Sequence, residues 1–528
     1  MTQVLCQTRP IYLSTKPLKL YRHVGGLMET ERTTYYSTQT LSLADLSTEL
    51  LALVFQQLRD IDSRALASAR QLSRRFEAIV TPIQFETVRL NEYIIATQTE
   101  TYFPRLLRNL SSFTRNVEAR SDLDPINTRK VLGQIQRLST LRWRFIGNDP
   151  FSRFFSVPSD ILSPHHIGMG RVRLYVEGLP LQDFDDGSYD IYLRGIPASN
   201  LVSLKMTSPT PPLTSRLESL KRLLLESRQI KTFHYNDKGQ GSRFSFRGNE
   251  RLPAFEELSL RSYDWNHSPD TVRRHWNFSR LRRLALIDVP MFQFLNSVPF
   301  SEFHQLHTLH CEDHSTHLPD QRQEGTRDLY RLIQQIRALK TIKITCHTNL
   351  FPIDGLLRHA DSLRDLKFRD YTGFSDERQR CPTMRIEDLS LLSHNLVHLH
   401  TLELDMDAAF CDPSSFLYAL CGFPQLEILV LHTQTVLQVF EDVGEADLDY
   451  DAAMSIFSTL ISGKRGGTWR SITVNVGGWK PAMVRRTSAA WREQNRRGVY
   501  AERCFACEKH METGEMRVRE ERGVDNYS

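Results

Sequence analysis

Hydrophobic positions along most of the chain repeat one short phrase: an apolar residue, two other residues, an apolar residue, one other residue and an apolar residue. The last two apolar positions are two residues apart, so they share one face of a strand but not one face of a helix. From residue 255 onwards the copies recur every ~24 to 43 residues, a spacing typical of stacked repeats. The copies are LVSLKM at 201, LKRLLL at 220, FEELSL at 255, LRRLAL at 281, LHTLHC at 306, LKTIKI at 339, LRDLKF at 363, LHTLEL at 399, LEILVL at 426 and WRSITV at 469, and LSTLRW at 138 is a candidate early copy.

Helical patterns lie between these copies. Apolar residues recur there at three- and four-residue spacing, which places them on one side of a helix. A repeating unit of strand, loop, helix and return is typical of a solenoid, so we predict an array of stacked units over residues 201–480. The two clearest helical stripes are Leu329, Leu332, Ile333, Ile336 and Leu339, and Leu389, Leu392, Leu396 and Leu399.

Residues 41–90 carry a different pattern. Apolar residues at helical spacing indicate a first helix, with Ser47 as its N-cap. Asp60–Ser63 interrupts the pattern, a second apolar stretch resumes it, and Pro82 is expected to end it. The segment therefore predicts a module of three short helices. Its first stripe is Leu46, Leu50, Leu51, Val54, Phe55 and Leu58, and its later apolar residues are Leu66, Ala69, Leu72, Phe76, Ile79 and Val80.

Three other segments have weaker patterns. Residues 1–40 are polar and are predicted to be a flexible tail, with Met28 as an alternative start site. Residues 91–200 are assigned to a connecting segment and degenerate early repeats, in which RVRLYVEG and DIYLRG are predicted strands. Residues 481–528 form a C-terminal segment of basic and mixed charge. Its arginines from Arg485 to Arg497 favour a solvated helix face over a nucleic-acid contact.

Composition limits the classes of protein that remain. The 528 residues are 40% hydrophobic and 24% charged, which excludes a mainly disordered chain. A net charge of +5 gives no reason to expect binding to nucleic acid, and no stretch approaches the ~20 apolar residues of a membrane helix. Eight irregularly spaced cysteines favour a reducing compartment. We therefore expect a protein of the cytoplasm, the nucleus or both, with protein partners and no membrane association.

The helical module resembles the F-box, most closely in its fungal form. The resemblance rests on LSTELLALVF at 46–55, Leu58, Arg70, LSRRF at 72–76, Pro82, Phe85 and VRL at 88–90. Ser47 stands where the family usually has proline, and the turn at Asp60–Ser63 looks a few residues longer than usual. The resemblance implies binding to a Skp-type adaptor and, through it, to a cullin. The adaptor contacts that it implies, with Phe55 as the aromatic anchor, are Leu46, Ser47, Leu50, Leu51, Val54, Phe55, Leu58 and Leu66.

The repeats resemble a divergent leucine-rich-repeat array. The asparagine that the family places three positions after the last apolar residue is absent, so the turns must satisfy their buried backbone groups differently. The residues found there are Val289, His314, His347, Tyr371, Asp407 and Gln434. In such an array the residues between the apolar positions face the concave surface. We name Lys343, Lys367, Arg369, Glu403 and Asp405 as a weak mixed-charge target site, and a merely solvated strand face is the alternative.

Other groupings of reactive residues favour structural roles. Cys504, Cys507 and His510 have metal-like spacing without a fourth ligand, and His310, Cys311, His314 and His317 cluster around a core position of the repeat phrase. Asp447, Asp449 and Asp451 imitate a calcium loop but lack its glycine and its last glutamate, so an acidic loop is predicted. GKRGGT at 463–468 has the wrong order for a phosphate loop and is predicted to be a turn after a helix.

Together these patterns predict an α+β or α/β solenoid, with a small three-helix F-box before an irregular leucine-rich-repeat-like array. The function implied by both resemblances is target recognition in an SCF-type cullin-RING ubiquitin ligase. The F-box would bind the adaptor and the repeats would bind the protein target. The alternative is an F-box and repeat scaffold without ubiquitin-ligase activity. We expect no enzyme activity of the chain itself, no metal site and no cofactor.

Overall fold

The computed structural model describes residues 43–96, 103–146, 156–168, 171–179, 193–206, 217–236, 241–312, 319–371, 382–408, 410–433, 448–476, 503–510 and 513–521. The chain divides into two compact units, residues 1–87 and residues 88–528. The predicted tail at 1–40, the arginines from Arg485 to Arg497, and His314, His317, Gln434 and Asp447 lie outside the described residues.

Within residues 43–87 the first unit has three helices after a short 3₁₀ turn at Leu43–Asp45. The helices are α1 (Thr48–Ile61), α2 (Ser63–Ala69) and α3 (Arg74–Phe85). Each helix starts at a residue whose side chain accepts a hydrogen bond from an N–H of the first turn. Ser47 caps α1, as predicted, Asp62 caps α2 and Ser73 caps α3. These caps satisfy N–H groups that have no partner within the helix.

Two expectations for this unit are wrong. The turn between α1 and α2 is a single residue, because Asp62 both ends α1 and caps α2. Pro82 does not end the third helix but lies inside it. Proline removes the hydrogen bond to the carbonyl four residues earlier, and its ring crowds that carbonyl. The helix continues for another three residues because Ile83 packs into the core of the unit.

Aromatic packing joins the first and third helices of this unit. The rings of Phe55 on α1 and Phe76 on α3 lie 5.2 Å apart at an angle of 73°, an edge-to-face arrangement. Leu51, Leu66 and Val80 are fully buried beside them. Such aromatic pairs add about 0.5–1.5 kcal/mol beyond the burial of their area. The core of the unit is thus built from one face of each helix.

The second unit contains one sheet, and the strands in the described residues follow one another across it in chain order. The strands are β1 (Thr87–Arg89), β2 (Asn116–Arg120), β3 (Thr140–Arg144), β4 (Arg173–Leu179), β5 (Leu201–Met206), β6 (Thr232–Asn236), β7 (Glu257–Arg261), β8 (Arg283–Ile287), β9 (Thr308–Glu312), β10 (Thr341–Cys346), β11 (Asp365–Asp370), β12 (Thr401–Met406), β13 (Ile428–Thr433), β14 (Ser471–Val476), β15 (Arg503–Lys509) and β16 (Met516–Glu521).

Helices connect most of these strands. They are α4 (Glu92–Ile95), α5 (Pro104–Phe113), α6 (Pro125–Gln134), α7 (Pro158–Ile161), α8 (Pro164–Gly168), α9 (Leu217–Glu226), α10 (Pro269–His275), α11 (Met291–Ser297), α12 (Pro319–Gln335), α13 (Asp354–Leu357), α14 (Ile386–Asn395), α15 (Pro413–Leu420) and α16 (Leu448–Gly463). The two predicted helical stripes are confirmed in part: five of their nine residues lie in α12 and α14, whereas Ile336, Leu339, Leu396 and Leu399 follow the ends of these helices. All nine are buried in the core that the helices share with the sheet.

Neighbouring strands from β2 to β14 pair in parallel, and β14–β15 and β15–β16 pair antiparallel. Equivalent residues of the repeat phrase align: Leu366 pairs with Leu402, and Leu402 with Leu429. These aligned apolar residues are buried, whereas the residues between them lie on the other, open face of the sheet. The arrangement is a solenoid-like α/β fold with a mainly parallel sheet.

Some assignments along this unit are wrong. LKRLLL at 220–225 lies within α9 and not in a strand, because three-residue apolar spacing fits both structures. The strand of that coil is β6, in the phrase IKTFHY at 230–235. In the predicted strand DIYLRG, the described residues Leu193 and Arg194 are helical. The C-terminal segment contributes β15 and β16 to the sheet.

A backbone ladder joins successive coils where the strands begin. The backbone carbonyl at the second position of the phrase accepts two hydrogen bonds from the next coil, donated by the N–H groups at its second and third positions. For example, the carbonyl of Arg282 accepts hydrogen bonds from the N–H groups of His307 and Thr308 at 3.0 and 3.2 Å. The other carbonyls that accept two such bonds include Lys231, Glu256, His307, Lys340, Arg364, His400 and Glu427. The register of these coils is therefore held by backbone atoms.

Side-chain acceptors replace the missing asparagines at the other end of the strands. The carboxylate of Asp370 accepts a hydrogen bond from the N–H of Thr348 at 2.7 Å, and the carboxylate of Asp405 accepts one from the N–H of Asp370 at 2.9 Å. The hydroxyl of Thr383 accepts from the N–H of Asp407 at 2.7 Å. Buried backbone groups need such partners, so aspartate and threonine do here what the ladder asparagine does in regular repeats.

Candidate functional site

One side of α1 presents apolar side chains to solvent. Leu50, Leu53, Val54 and Ile61 are 51%, 58%, 42% and 82% exposed. Their three-, four- and seven-residue spacings bring them to the same side of the helix. We call these four residues the α1 apolar face. Exposed apolar residues in a contiguous group mark interaction sites more often than scattered ones do.

The structure divides the eight predicted adaptor contacts into three groups. Leu51, Phe55 and Leu66 fill the core of the unit, and Phe55 is only 2% exposed. Phe55 therefore cannot act as a surface anchor while the unit stays folded, which corrects that expectation. Leu46 and Leu58 are half-buried against the same core, and Ser47 is the exposed N-cap of α1. Leu50 and Val54 are the two that belong to the α1 apolar face.

The predicted contacts left out four exposed apolar residues of this unit: Leu43, Leu53, Ile61 and Leu72. Leu53 and Ile61 extend the α1 apolar face in both directions from Val54. A helical wheel of residues 48–61 could have found them, because the exposed and buried leucines fall on different sides. Leu72, 72% exposed, follows α2 in the turn before α3.

The second candidate region lies on the open face of the sheet, across β9 to β13. Lys367 on β11 is 2.5 Å from the carboxylate of Glu312 on β9 and 3.5 Å from that of Glu403 on β12. Glu403 in turn accepts a hydrogen bond from Nε2 of His432 on β13 at 2.9 Å. These groups form one chain of ionic and hydrogen-bonded contacts over neighbouring strands.

A buried ion pair lies beside this chain of contacts. Nε of Arg369 donates to Oδ1 of Asp405 at 2.9 Å, and their side chains are 11% and 4% exposed. The other carboxylate oxygen of Asp405 accepts from the N–H of Asp370 at 2.9 Å. Breaking a buried pair by removing one partner is costly because the remaining charge has no compensation. Asp405 is therefore placed to hold the structure together.

Burial and charge act in opposite directions on the Glu403 carboxyl. Burial raises its pKa, but the hydrogen bond from His432 and the charges of Lys367, His432 and Arg369 outweigh it and lower the pKa to about 2. Burial, with the nearby Arg369 charge, lowers the pKa of His432. At neutral pH a neutral His432 ring thus donates from Nε2 to an ionised Glu403 carboxylate.

The five residues predicted as a target site do lie on one face of three neighbouring strands. Four of them, Lys367, Arg369, Glu403 and Asp405, pair with one another or with Glu312 and His432, and they are largely withdrawn from solvent. Lys343 is exposed and forms no ion pair with a residue that the structure describes. Sequence reasoning missed Glu312 and His432. The same strand position in the flanking copies would have pointed to them.

The remaining groupings do not converge on a site. Cys504 is half-exposed, whereas Cys507 is buried and three residues away, so the two thiols lie on opposite faces of β15. Cys311 is buried in the core, and His310 pairs with Glu312 on the open face. Asp451 lies near the start of α16 and not in an acidic loop. Among the described residues, no group of three or more His, Cys, Asp or Glu side chains is arranged to hold a metal ion.

The GKRGGT segment is a turn after α16, as predicted. Lys464 donates to the carbonyl of Phe423 at 2.8 Å and lies 4.2 Å from the ring centre of Trp469. Burial lowers the pKa of Lys464 to about 8. Gly466 has a φ of +100°, and an added Cβ would lie 2.9 Å from the carbonyl oxygen of Pro424. The segment thus closes a coil of the solenoid.

Comparison with known proteins adds little to this picture. No family model and no curated protein matches the chain. Among solved structures, the chain is similar to a chain in "Crystal structure of TLR13-ssRNA13 complex", with 12% identity, a TM-score of 0.28, and coverage of 72% of this chain. It spans 54% of the length of that chain, and at this TM-score the likeness carries no argument. In the part of the chain that the structure describes, no helix has the length and apolar character to cross a membrane.

Proposed function

We propose that the chain is the substrate-recognition subunit of an SCF-type cullin-RING ubiquitin ligase. In this proposal residues 43–87 are an F-box that binds a Skp-type adaptor, and the leucine-rich-repeat-like solenoid binds the protein target. The chain carries out no bond chemistry itself. It holds a lysine of the target at high effective concentration near the ubiquitin-charged enzyme, so its contribution is proximity.

The observation that carries the proposal is the division of α1 into two apolar sides. One side, with Leu51 and Phe55, supplies the core of the unit. The other side, the α1 apolar face, exposes leucine, valine and isoleucine. A helix that packs only within its own unit needs one apolar side, whereas a helix that also docks in a partner's groove needs a second. The ordered F-box motif in the same residues supports an adaptor as that partner.

The adaptor surface that follows differs from the contacts first expected. We propose Leu50, Leu53, Val54 and Ile61 as the adaptor-contacting residues, with Leu46 and Leu58 at the margin of the core. Because these side chains are already partly buried in the free protein, burying the rest of each one stabilises a complex by about 1–2 kcal/mol, before the cost of association is subtracted.

The test is affinity capture of the full chain from cells, comparing wild type with Leu53→Asp. The substitution places a charge on the α1 apolar face and leaves the core intact. The matched control is Thr48→Asp, which adds the same charge at an exposed position of α1; Thr48 is two residues before Leu50 and five before Leu53, so it lies on another side of the helix. We expect Leu53→Asp to lose adaptor and cullin and Thr48→Asp to retain both. Absence of the adaptor from the wild-type capture would refute the proposal.

The alternative is a scaffold that binds the adaptor without directing ubiquitination. Both functions need the α1 apolar face, so adaptor binding does not separate them. Cullin in the captured complex, and proteins bound to the repeats that accumulate when the chain is deleted, would favour the ligase. A captured complex with adaptor but no cullin, and no protein that accumulates, would favour the scaffold.

A further inference from the structure

Basic residues occupy the edge of the sheet at which the strands begin. The second position of the phrase is Arg282, His307, Lys340 and Arg364 in four consecutive coils, and Arg283 lies at the third position of the first. We call these five residues the edge strip. Arg282, Arg283, Lys340 and Arg364 are exposed, and His307 is half-buried. The backbone ladder fixes their spacing, because each coil bonds to the next at this position.

The charges of the edge strip act on one another and are only partly compensated by neighbouring carboxylates. The pKa of His307 is lowered by burial and by the positive charges of Arg283, Lys340 and Arg282. Among the described residues, Arg282 and Lys340 form no ion pair within 4 Å. The Arg282 charge does help to lower the pKa of the Glu256 carboxyl, and Arg283 is 3.6 Å from the carboxylate of Glu257. On the open face, by contrast, four of the five predicted site residues, all except Lys343, are in ion pairs.

Acidic residues mark the limits of the edge strip. Glu256 precedes it and pairs with Lys231 and Arg280, and Glu427 follows it one coil beyond His400. Inside the strip, Asp365 accepts a hydrogen bond from the hydroxyl of Thr341 at 3.1 Å. The strip is thus a bounded basic surface on a chain whose net charge is only +5.

We propose that the edge strip binds an extended acidic peptide segment of the protein target. Four neighbouring strands span about 14 Å, and an extended peptide covers this distance with about four or five residues. Arginine and lysine attract carboxylates on such a segment. Threonine hydroxyls lie beside the cations, and the half-buried His307 is the one aromatic ring among the five strip residues. A row of stacking rings, which single-stranded RNA uses, is therefore missing from the strip, and this favours a peptide. The inference rests on the proposed role of the solenoid in holding a target.

The test is fluorescence anisotropy with the full chain and three labelled probes. The probes are a twelve-residue peptide rich in Glu and Asp, its Gln and Asn counterpart, and a twelve-nucleotide oligouridine. We expect the acidic peptide to bind, the neutral peptide not to bind, and binding to weaken as salt shortens the ~8 Å screening length of physiological buffer. Arg282→Glu/Lys340→Glu should weaken acidic-peptide binding by about tenfold.

The control variant is Arg228→Glu/Arg470→Glu, which changes the net charge equally at exposed positions outside the strip. Binding of the acidic peptide by this control should stay within about twofold of wild type, because exposed charges that do not contact the peptide contribute little to its affinity. Three results would overturn the proposal: no binding of the acidic peptide, equal weakening by the control, or oligouridine binding through the strip in place of the peptide.

Two further measurements separate peptide binding by the edge strip from a structural role of its cations and from adaptor binding. The first compares thermal unfolding and peptide binding of Arg282→Gln/Lys340→Gln with wild type. If the cations only stabilise the coils, stability would fall and peptide binding would be unchanged, which would contradict the proposal. Capture of the adaptor by Arg282→Glu/Lys340→Glu should equal that of wild type. If this variant loses peptide binding but retains the adaptor, the result supports the edge strip independently of the F-box. The result for Leu53→Asp, in contrast, tests only the proposed function.

Discussion

Removal of the Asp405 carboxylate tests whether the open-face charges hold the solenoid together. Asp405→Ala leaves the Arg369 guanidinium buried without its partner and removes the acceptor of the Asp370 N–H. Loss of one member of a buried pair costs about 3–5 kcal/mol, and an unsatisfied buried N–H adds about 1 kcal/mol. The matched control is Asp388→Ala, since Asp388 pairs with Arg385, whose side chain is 77% exposed. Exposed pairs contribute about 1 kcal/mol or less.

Hydrogen exchange measured by mass spectrometry suits this comparison, because a solenoid also opens locally and exchange reports the stability of each coil separately. Tenfold in exchange rate corresponds to about 1.4 kcal/mol. Peptides covering β11 and β12 should therefore exchange at least about 100-fold faster in Asp405→Ala and less than about tenfold faster in Asp388→Ala. The double variant Arg369→Met/Asp405→Leu should recover most of the protection, since it removes both charges. Equal exchange in Asp405→Ala and Asp388→Ala would refute a structural role for the pair.

Three other predictions follow from described side chains. Phe55→Ala should destabilise the first unit by about 3–5 kcal/mol and Leu53→Ala by less than about 0.5 kcal/mol, measured by circular dichroism during thermal unfolding; equal losses would contradict the assigned core. Because the pKa of Glu403 falls from 4.5 to about 2 on folding, its stabilising effect is present above pH 4.5 and is lost as pH falls towards 2. Glu403→Gln should therefore lower the unfolding temperature near pH 6 and flatten its decline between pH 4.5 and 2.5, and an unchanged acid decline would exclude this role. Gly466→Ala should cost about 1–3 kcal/mol through its positive φ and the close Pro424 carbonyl, whereas Gly467→Ala, with that oxygen at 3.5 Å, should cost less; reversed unfolding midpoints would contradict the turn geometry.

The strands of the solenoid were largely predictable because two-residue apolar spacing belongs to a strand. The exception, residues 220–225, is informative: Leu220, Leu223 and Leu224 also satisfy helical spacing, and all three are buried in α9. Local pattern does not decide between two periods that share the same positions. Tertiary packing decides between helix and strand, and in this coil the strand is β6, which contains Phe233 and Tyr235.

The candidate sites were less predictable for two physical reasons. On α1, Leu50 and Leu51 are identical neighbours, and only the packing of α2 and α3 makes one exposed and the other buried. On the open face, Arg369 and Asp405 are 36 residues apart, and their pairing depends on the register between β11 and β12. Sequence alone placed these residues on the correct elements. The sequence did not show which of these side chains are used in contacts within the chain and which stay exposed to a partner.

The backbone ladder makes coil stacking independent of the side chains at the second position of the phrase. Its bonds join main-chain atoms at 2.8–3.2 Å, whether the residue is Glu256, His307 or Lys340. The loops between copies can also differ in length without changing the register, as the unequal spacing shows. Binding specificity along this edge is therefore separable from folding. Substitutions at these positions should change what the surface recognises while the same solenoid is retained.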